Sequence, residues 1–401
     1  MPPLQAPAPT PIHDYDKSLK RSKRTLQTLH NGEVALRFLD HMSALGLSTA
    51  RVAKYATKLV VLLRVIDKDL KDLNREDAER VVAWINNKPH KEWTKHDSKL
   101  VLRKIVQYAK QGSCTKGTPL PCEVSWISLA VKEKDFRATP ENLLTQDEVA
   151  SMINVAANTR DRALVYVLFE AALRPGELLT MIVGGVEFKE DYCLISVNGK
   201  TGIKRIPLVV SFKPLLEWLR DHPCPDDRNA PLWCSLSSNR VGDRLSYQHF
   251  RLRVKRLAEK AGLKKDIWPY LYRHSTLTAM AKVFTEAKLE QFAGWTYGSK
   301  MTRRYVHFSA RDLEDAVLEL HGLKQPQRGD GMAKLIECPR CRNKNPFGNV
   351  RCSFCGFILD RRLAEETEQK TAEKDMEIQS RLQKLEQTIT LLLNNQTGRS
   401  N

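Results

Sequence analysis

The sequence predicts a mainly α chain with one small β-sheet, divided into at least two folded domains. Three observations carry this expectation. Helical periodicity with capping residues runs from about 28 to 112, a single hairpin signature lies between 192 and 210, and helical patterns resume from about 212 to 322. A chain of 401 residues is also too long for one core, at roughly 100–200 residues per domain. Four of the nine cysteines crowd between positions 338 and 355, which adds a small cysteine module before a polar C-terminal helix.

Composition limits the function classes. Hydrophobic residues at 42% and charged residues at 28% describe a globular chain, not a disordered one. No run approaches the ~18 apolar residues of a membrane span, and the Met1-Pro2-Pro3 opening lacks the apolar core of a signal peptide, so a cytoplasmic location is expected. Lys plus Arg outnumber Asp plus Glu by 65 to 47, a net charge of +18. Such a surplus suits a polyanionic partner, because phosphate contacts release counterions.

Residues 1–27 read as a disordered arm made basic by Lys17, Lys20, Arg21, Lys23 and Arg24. Residues 28–125 read as a compact helical domain. Asn31, Ser48, the Asn74/Asp77 pair and the Thr94/Asp97 pair each offer a side chain to the free amides of a helix's first turn. Lys95, Lys99, Arg103 and Lys104 recur at helical spacing and could form a basic face. Turn chemistry from Gly112 to Pro140 suggests a linker. A second domain, 140–323, opens on the capping box Thr145-Gln146-Asp147-Glu148. Within it, Leu194–Val197 and Arg205–Leu208 flank Asn198-Gly199-Lys200-Thr201-Gly202 as a hairpin.

Four stretches of this domain carry chemistry: Ala172-Leu173-Arg174-Pro175-Gly176-Glu177-Leu178, Gly199-Lys200-Thr201-Gly202, Tyr270-Leu271-Tyr272-Arg273-His274-Ser275, and Ala293-Gly294-Trp295 with Tyr305 ten residues later. In this order they resemble the boxes of the tyrosine recombinases, the phage integrase family. The resemblance is close over roughly 145–310. It extends more loosely to the helical domain, which is similar to the family's core-binding, SAM-like domain. It implies an α+β catalytic domain acting on double-stranded DNA through a 3′-phosphotyrosyl intermediate, with self-association into a tetramer on DNA.

The resemblance also implies roles. Arg174 and Arg273 clamp the phosphate, Glu177 orients the site, Lys200 protonates the leaving 5′ oxygen, Trp295 packs on or donates to a nonbridging oxygen, and Tyr305 attacks. The residue types suit the tasks. A planar guanidinium binds two phosphate oxygens and keeps its charge, whereas an amine can surrender a proton. No ATP or catalytic metal is needed, because a phosphotyrosyl bond stores the energy for resealing. Lys204 rivals Lys200 in the same hairpin, and Tyr270, Tyr272 and Tyr297 rival Tyr305. Tyr270 occupies the histidine position of the His-x-x-Arg box, and a phenol is a poor general base. His274 beside Arg273 is expected to pack, with room to compensate in part.

Cys338-Pro339-Arg340-Cys341 and Cys352-Ser353-Phe354-Cys355 supply four thiolates in two CxxC knuckles, the spacing of a closed structural Zn2+ site. Residues 335–360 therefore read as a zinc ribbon. In the segment 361–395, Ile378, Leu382, Leu385, Ile389 and Leu392 follow 4-3-4-3 spacing, a short coiled-coil seam. Ribbon and tail follow the nucleophile, so neither is expected to help build the catalytic pocket. The functional expectation is a site-specific DNA recombinase or integrase. The alternatives are a type IB-like topoisomerase or resolvase, and a catalytically inactive DNA-binding protein.

Overall fold

The computed structural model describes residues 13–131, 140–199, 202–309, 318, 321 and 332–397. The chain divides into two compact units, with the boundary in the sequence at residue 137.

The first unit is all helix: α1 (Tyr15–Gln27), α2 (Gly32–Ala44), α3 (Thr49–Leu62), α4 (Arg75–Asn87), α5 (Glu92–Gln111) and the single turn α6 (Cys122–Ser125). Its core gathers Leu26, Phe38, Leu39, Leu59, Leu102 and Ile105, all fully buried. The basic arm is corrected here. Residues 15–27 are a helix that packs along α3, with Ser22 and Leu26 buried and Lys23 paired to Asp40 at 2.8 Å. Its cations dominate the exposed side, which hid the buried stripe beneath them.

Two further expectations change in this unit. Asn31 does not cap α2. Its side chain instead donates to the Lys68 carbonyl and accepts from the Leu70 amide, tying α2 to the loop before α4. Residues 113–131 are not a free linker, because Val124 and Ile127 are buried in the core. Arg103 and Lys104 hold carbonyls of that segment, at Ile127 and Cys114, so the basic face of α5 is partly spent on structure. The Asn74/Asp77 capping box forms as expected, whereas α5 starts at Glu92 and leaves Thr94 inside the helix.

The second unit begins with α7 (Gln146–Asn154), capped by the Thr145/Glu148 box. Next come α8 (Thr159–Ala171), α9 (Pro175–Leu179), the antiparallel sheet β1–β2–β3 (Val186–Phe188, Cys193–Gly199, Gly202–Leu208), α10 (Phe212–Arg220), α11 (Tyr247–Lys260), α12 (Pro269–Ala281), α13 (Glu286–Ala293) and α14 (Lys300–Ser309). Helix α8 is buried on nearly every side, with α7, α10 and α12 packed round it. In the hairpin Gly199 pairs with Gly202, so Asn198 and Gly199 belong to the strand and not to the turn.

Strands β4 (Leu335–Glu337) and β5 (Lys344–Pro346) build the cysteine module, and α15 (Arg361–Thr397) follows it. The four Sγ atoms lie within 4.8 Å of one another, with Cys338–Cys355 and Cys341–Cys352 each 3.6 Å apart. A tetrahedron with metal–sulfur bonds of ~2.3 Å has edges of about 3.8 Å, so the four thiols fit one metal ion. Backbone amides of Cys355 and Phe354 pull the Cys352 thiol down to about 6. At Cys341 the Asn343 amide pulls the same way, but burial and the other three thiols outweigh it and push that thiol up to about 12.

The module is anchored to the catalytic body, contrary to its expected independence. Phe347 is 1% exposed and meets the rings of Tyr166 and Phe169 of α8 edge-on, at 5.2 and 5.7 Å. The buried Tyr166 hydroxyl donates to the Phe347 carbonyl, and Lys213 of α10 donates to the Lys344 carbonyl at 3.1 Å. Phe347→Ala should therefore cost about 3–5 kcal/mol, the usual range for emptying a buried aromatic site. Phe354, 76% exposed on the same module, serves as the control. In urea denaturation followed by near-UV circular dichroism, Phe347→Ala should shift the midpoint of the catalytic unit and Phe354→Ala should not.

Candidate active site

Helix α8 ends at Ala172, a fully buried residue with φ of 50°. That left-handed turn reverses the chain so that Arg174 becomes the N-cap of α9, with Pro175 at its first position. Glu177, one turn into α9, accepts from the Arg174 amide at 2.9 Å and from the Arg174 guanidinium at 2.6 Å. Lys204 reaches the same carboxylate from β3, at 3.1 Å. Glu177 is only 4% exposed, so this is a buried charge cluster and not a surface ion pair. Burial alone would raise the Glu177 carboxyl, but Lys204 and Arg174 together hold it below its ordinary value.

Two glycines let the cluster close. A β-carbon on Gly199 would stand 2.8 Å from the Glu177 Oε1. Gly294 caps α13 in the left-handed region, at φ of +65°, and a β-carbon there would press on the Lys204 side chain at 3.2 Å.

Arg273 comes from α12. It donates to the carbonyls of Ala172 at 2.6 Å and Ala293 at 2.8 Å, which fixes its guanidinium beside Arg174. Burial, then the neighbouring Arg174, lowers its pKa. Tyr270, Arg273 and His274 stand at i, i+3 and i+4 and so share one face of α12. Tyr270 keeps its proton, since burial raises its pKa against the pull of Arg174 and Arg273. It is a donor there, not a base.

The ring of Trp295 stacks on Tyr305, centroids 5.4 Å apart, and the Arg273 guanidinium lies 5.7 Å from the Trp295 ring. Tyr305 is 2% exposed, and its hydroxyl lies 2.9 Å from Nδ1 of His274. Glu290 of α13, itself buried, secures this corner by accepting from the Gly298 and Ser299 amides and the Thr302 hydroxyl. Two of the rival tyrosines sit elsewhere. Tyr272 is fully buried with its hydroxyl on the Met152 sulfur, and Tyr297 is 92% exposed.

The fold thus brings together Arg174, Glu177, Tyr270, Arg273, Trp295 and Tyr305, while Lys200 lies outside the described residues. Three participants were not singled out as site residues from sequence: Lys204, His274 and Glu290. The first two were named from sequence only beside motif positions, Lys204 as a rival to Lys200 and His274 as a packing residue with room to compensate. Glu290 had no signal, because its role is to hold a loop.

Burial, then Arg273 and Arg174, bring Lys204 down to about 8, although Glu177 pulls the other way. The unfolded chain keeps this proton up to the ordinary 10.5, whereas the folded protein releases it near 8. Between those values the unfolded state binds more protons, so this group makes stability rise with pH. Lys204→Met should remove that contribution. Urea midpoints measured from pH 7.5 to 10.5 should climb less steeply for the variant than for the wild type.

Residues 142–311 match the Phage integrase family model. The tyrosine recombinase XerA of Pyrococcus horikoshii is 28% identical over 174 residues, covering 43% of this chain and 59% of that relative. The tyrosine recombinase XerC of Xylella fastidiosa is 31% identical over 155 residues, 35% of this chain and 47% of the relative. A second XerA, from Saccharolobus solfataricus, is 22% identical over 299 residues, 72% of this chain and 93% of that protein. The alignment thus spans only about half the length of the first two. Among solved structures, XerH site-specific recombinase bound to a palindromic difH substrate superposes with a TM-score of 0.55 at 17% identity, covering 79% of this chain and all of that one. The Tn1549 transposon integrase with transposon right end DNA gives 0.55 at 16% identity, covering 72% of this chain and 99% of that one. These two likenesses show the fold. Residues 142–311 of this chain therefore match the Phage integrase family, and the three relatives named above are tyrosine recombinases.

Proposed function

We propose that the protein is a site-specific DNA recombinase that cuts and rejoins strands of double-stranded DNA through a 3′-phosphotyrosyl intermediate. The observation that carries this reading is the convergence of two arginines, a buried carboxylate and one buried tyrosine on a single pocket. Arg174 and Arg273 have fixed positions and permanent charge, so they bind the scissile phosphate and disperse charge on the phosphorane. Tyr270 donates a hydrogen bond to a nonbridging oxygen, and Trp295 closes the pocket over Tyr305. Tyr305 attacks phosphorus, and the bond to the 5′ oxygen breaks.

The departing oxygen takes a proton from Lys200. Lys204 has a different task in this scheme, which is to keep Glu177 ionised and aligned between the strand and Arg174. The four cysteines hold a structural Zn2+ that stiffens the ribbon. A tetramer assembled on two duplexes performs the exchange, and the α15 seam contributes to that assembly. XerH and the transposon integrase, each solved with DNA, support a DNA partner.

Two measurements test the scheme. On a nicked suicide substrate, Tyr305→Phe should retain DNA binding and lose the covalent adduct altogether, whereas an adduct mapped to Tyr297 would reassign the nucleophile. Lys200→Ala should cleave ordinary DNA ~10²–10⁴-fold more slowly, and a 5′-bridging sulfur, which leaves without a proton, should restore it. Lys204→Ala should not be rescued in this way.

A further inference from the structure

We infer that His274 is the general base that takes the proton from Tyr305, and this rests on the reading of Tyr305 as the nucleophile. Three observations carry it. The Nδ1 atom of His274 lies 2.9 Å from the Tyr305 hydroxyl, within the reach a base requires. The ring centroids of His274 and Tyr305 lie 5.9 Å apart with an interplanar angle of 26°, and Trp295 stacks on the phenol at 5.4 Å, so packing as well as the polar contact holds the pair. The box position that could hold an imidazole holds Tyr270, which keeps its proton and is no acceptor.

His274 is one residue beyond Arg273, which points the two side chains in neighbouring directions on α12. Arg273 can face the phosphate while His274 faces the attacking oxygen. Among the described residues, the titratable and charged groups around the imidazole include Tyr270 and Arg273 on its own helix and Tyr305 on α14. Arg174, Glu177 and Lys204 lie beyond Arg273. The negative charge of a bound phosphate beside Arg273 favours the imidazolium that forms in the step, which ties activation of the tyrosine to arrival of DNA.

The step balances without redox change. The Tyr305 O–H bond breaks and its proton passes to Nδ1, the proton on Nε2 staying in place. The phenolate oxygen forms the bond to phosphorus, and the 5′ oxygen leaves with a proton from the hairpin lysine. On resealing, the imidazolium returns its proton to the departing phenol.

The test is single-turnover adduct formation on a nicked suicide duplex by the full-length protein. His274→Asn keeps a polar atom near the Nδ1 position but has no basicity, and His274→Ala removes both. Wild-type adduct at Tyr305 is established first, since its absence overturns the nucleophile reading and this inference with it. Given that adduct, His274→Asn should be slower by roughly 10²-fold or more, with DNA binding and melting temperature retained. Its rate should also lose the decline that the wild type shows as pH falls and the imidazole is protonated beforehand. A 5′-bridging sulfur should not rescue it, because the defect lies in the nucleophile. Cleavage by His274→Asn within about twofold of wild type, an unchanged acid limb, or rescue by the bridging sulfur would each overturn the assignment.

Discussion

Glu177 puts one negative charge among three cations in a place with almost no water. Without it, Arg174, Lys204 and Arg273 would repel one another across a few ångströms of low-dielectric interior, and the β2–β3 hairpin would have no reason to press against α9. With it, each cation has a fixed direction and the pocket keeps a net positive charge. The two glycines at the hairpin end and the α13 cap make sense only because this carboxylate and its lysine sit so close. Binding a phosphate then completes a charge balance that the protein leaves unfinished by one or two units.

The tyrosine side of the pocket follows another rule. Tyr305 belongs to a small apolar cluster with Ala172, Leu277, Leu289 and Ala293, so its ring is positioned by packing and only its hydroxyl is positioned by polarity. His274 and Trp295 pack against the ring, and Nδ1 of His274 lies 2.9 Å from its oxygen. Arg273 links the halves, since its two backbone acceptors lie at the end of α8 and the end of α13. The Arg273 guanidinium and the Tyr305 ring are thus tied to the same two helix termini.

Much of this was legible in the sequence, and the limits have physical causes. The Asn74 and Thr145 capping boxes were readable because such a cap depends on residues three apart and little else. Arg174, Glu177, Arg273, Trp295 and Tyr305 could be named because four short boxes, in order, resemble those of the tyrosine recombinases. Helix α1 was missed since its buried stripe is interrupted by lysines and is completed only by α3. Asn198-Gly199 looked like a turn, yet Gly199 serves a close approach to Glu177, and a glycine's two uses look alike in a sequence. Lys204 and His274 acquire roles from partners on other elements, which no local pattern encodes.

The seating of Phe347 against α8 has a consequence for how this protein responds to its surroundings. A ribbon on a flexible tether would lose its metal without disturbing the rest of the chain. Here its backbone and one aromatic ring are part of the same buried layer as the helix that leads into Arg174. Ligand occupancy and folding are then thermodynamically linked, and each tenfold rise in free metal above its dissociation constant adds about 1.4 kcal/mol to the native state. The supply of a metal that fits the four thiols would therefore bear on how much of the pocket around Arg174 and Tyr305 is intact.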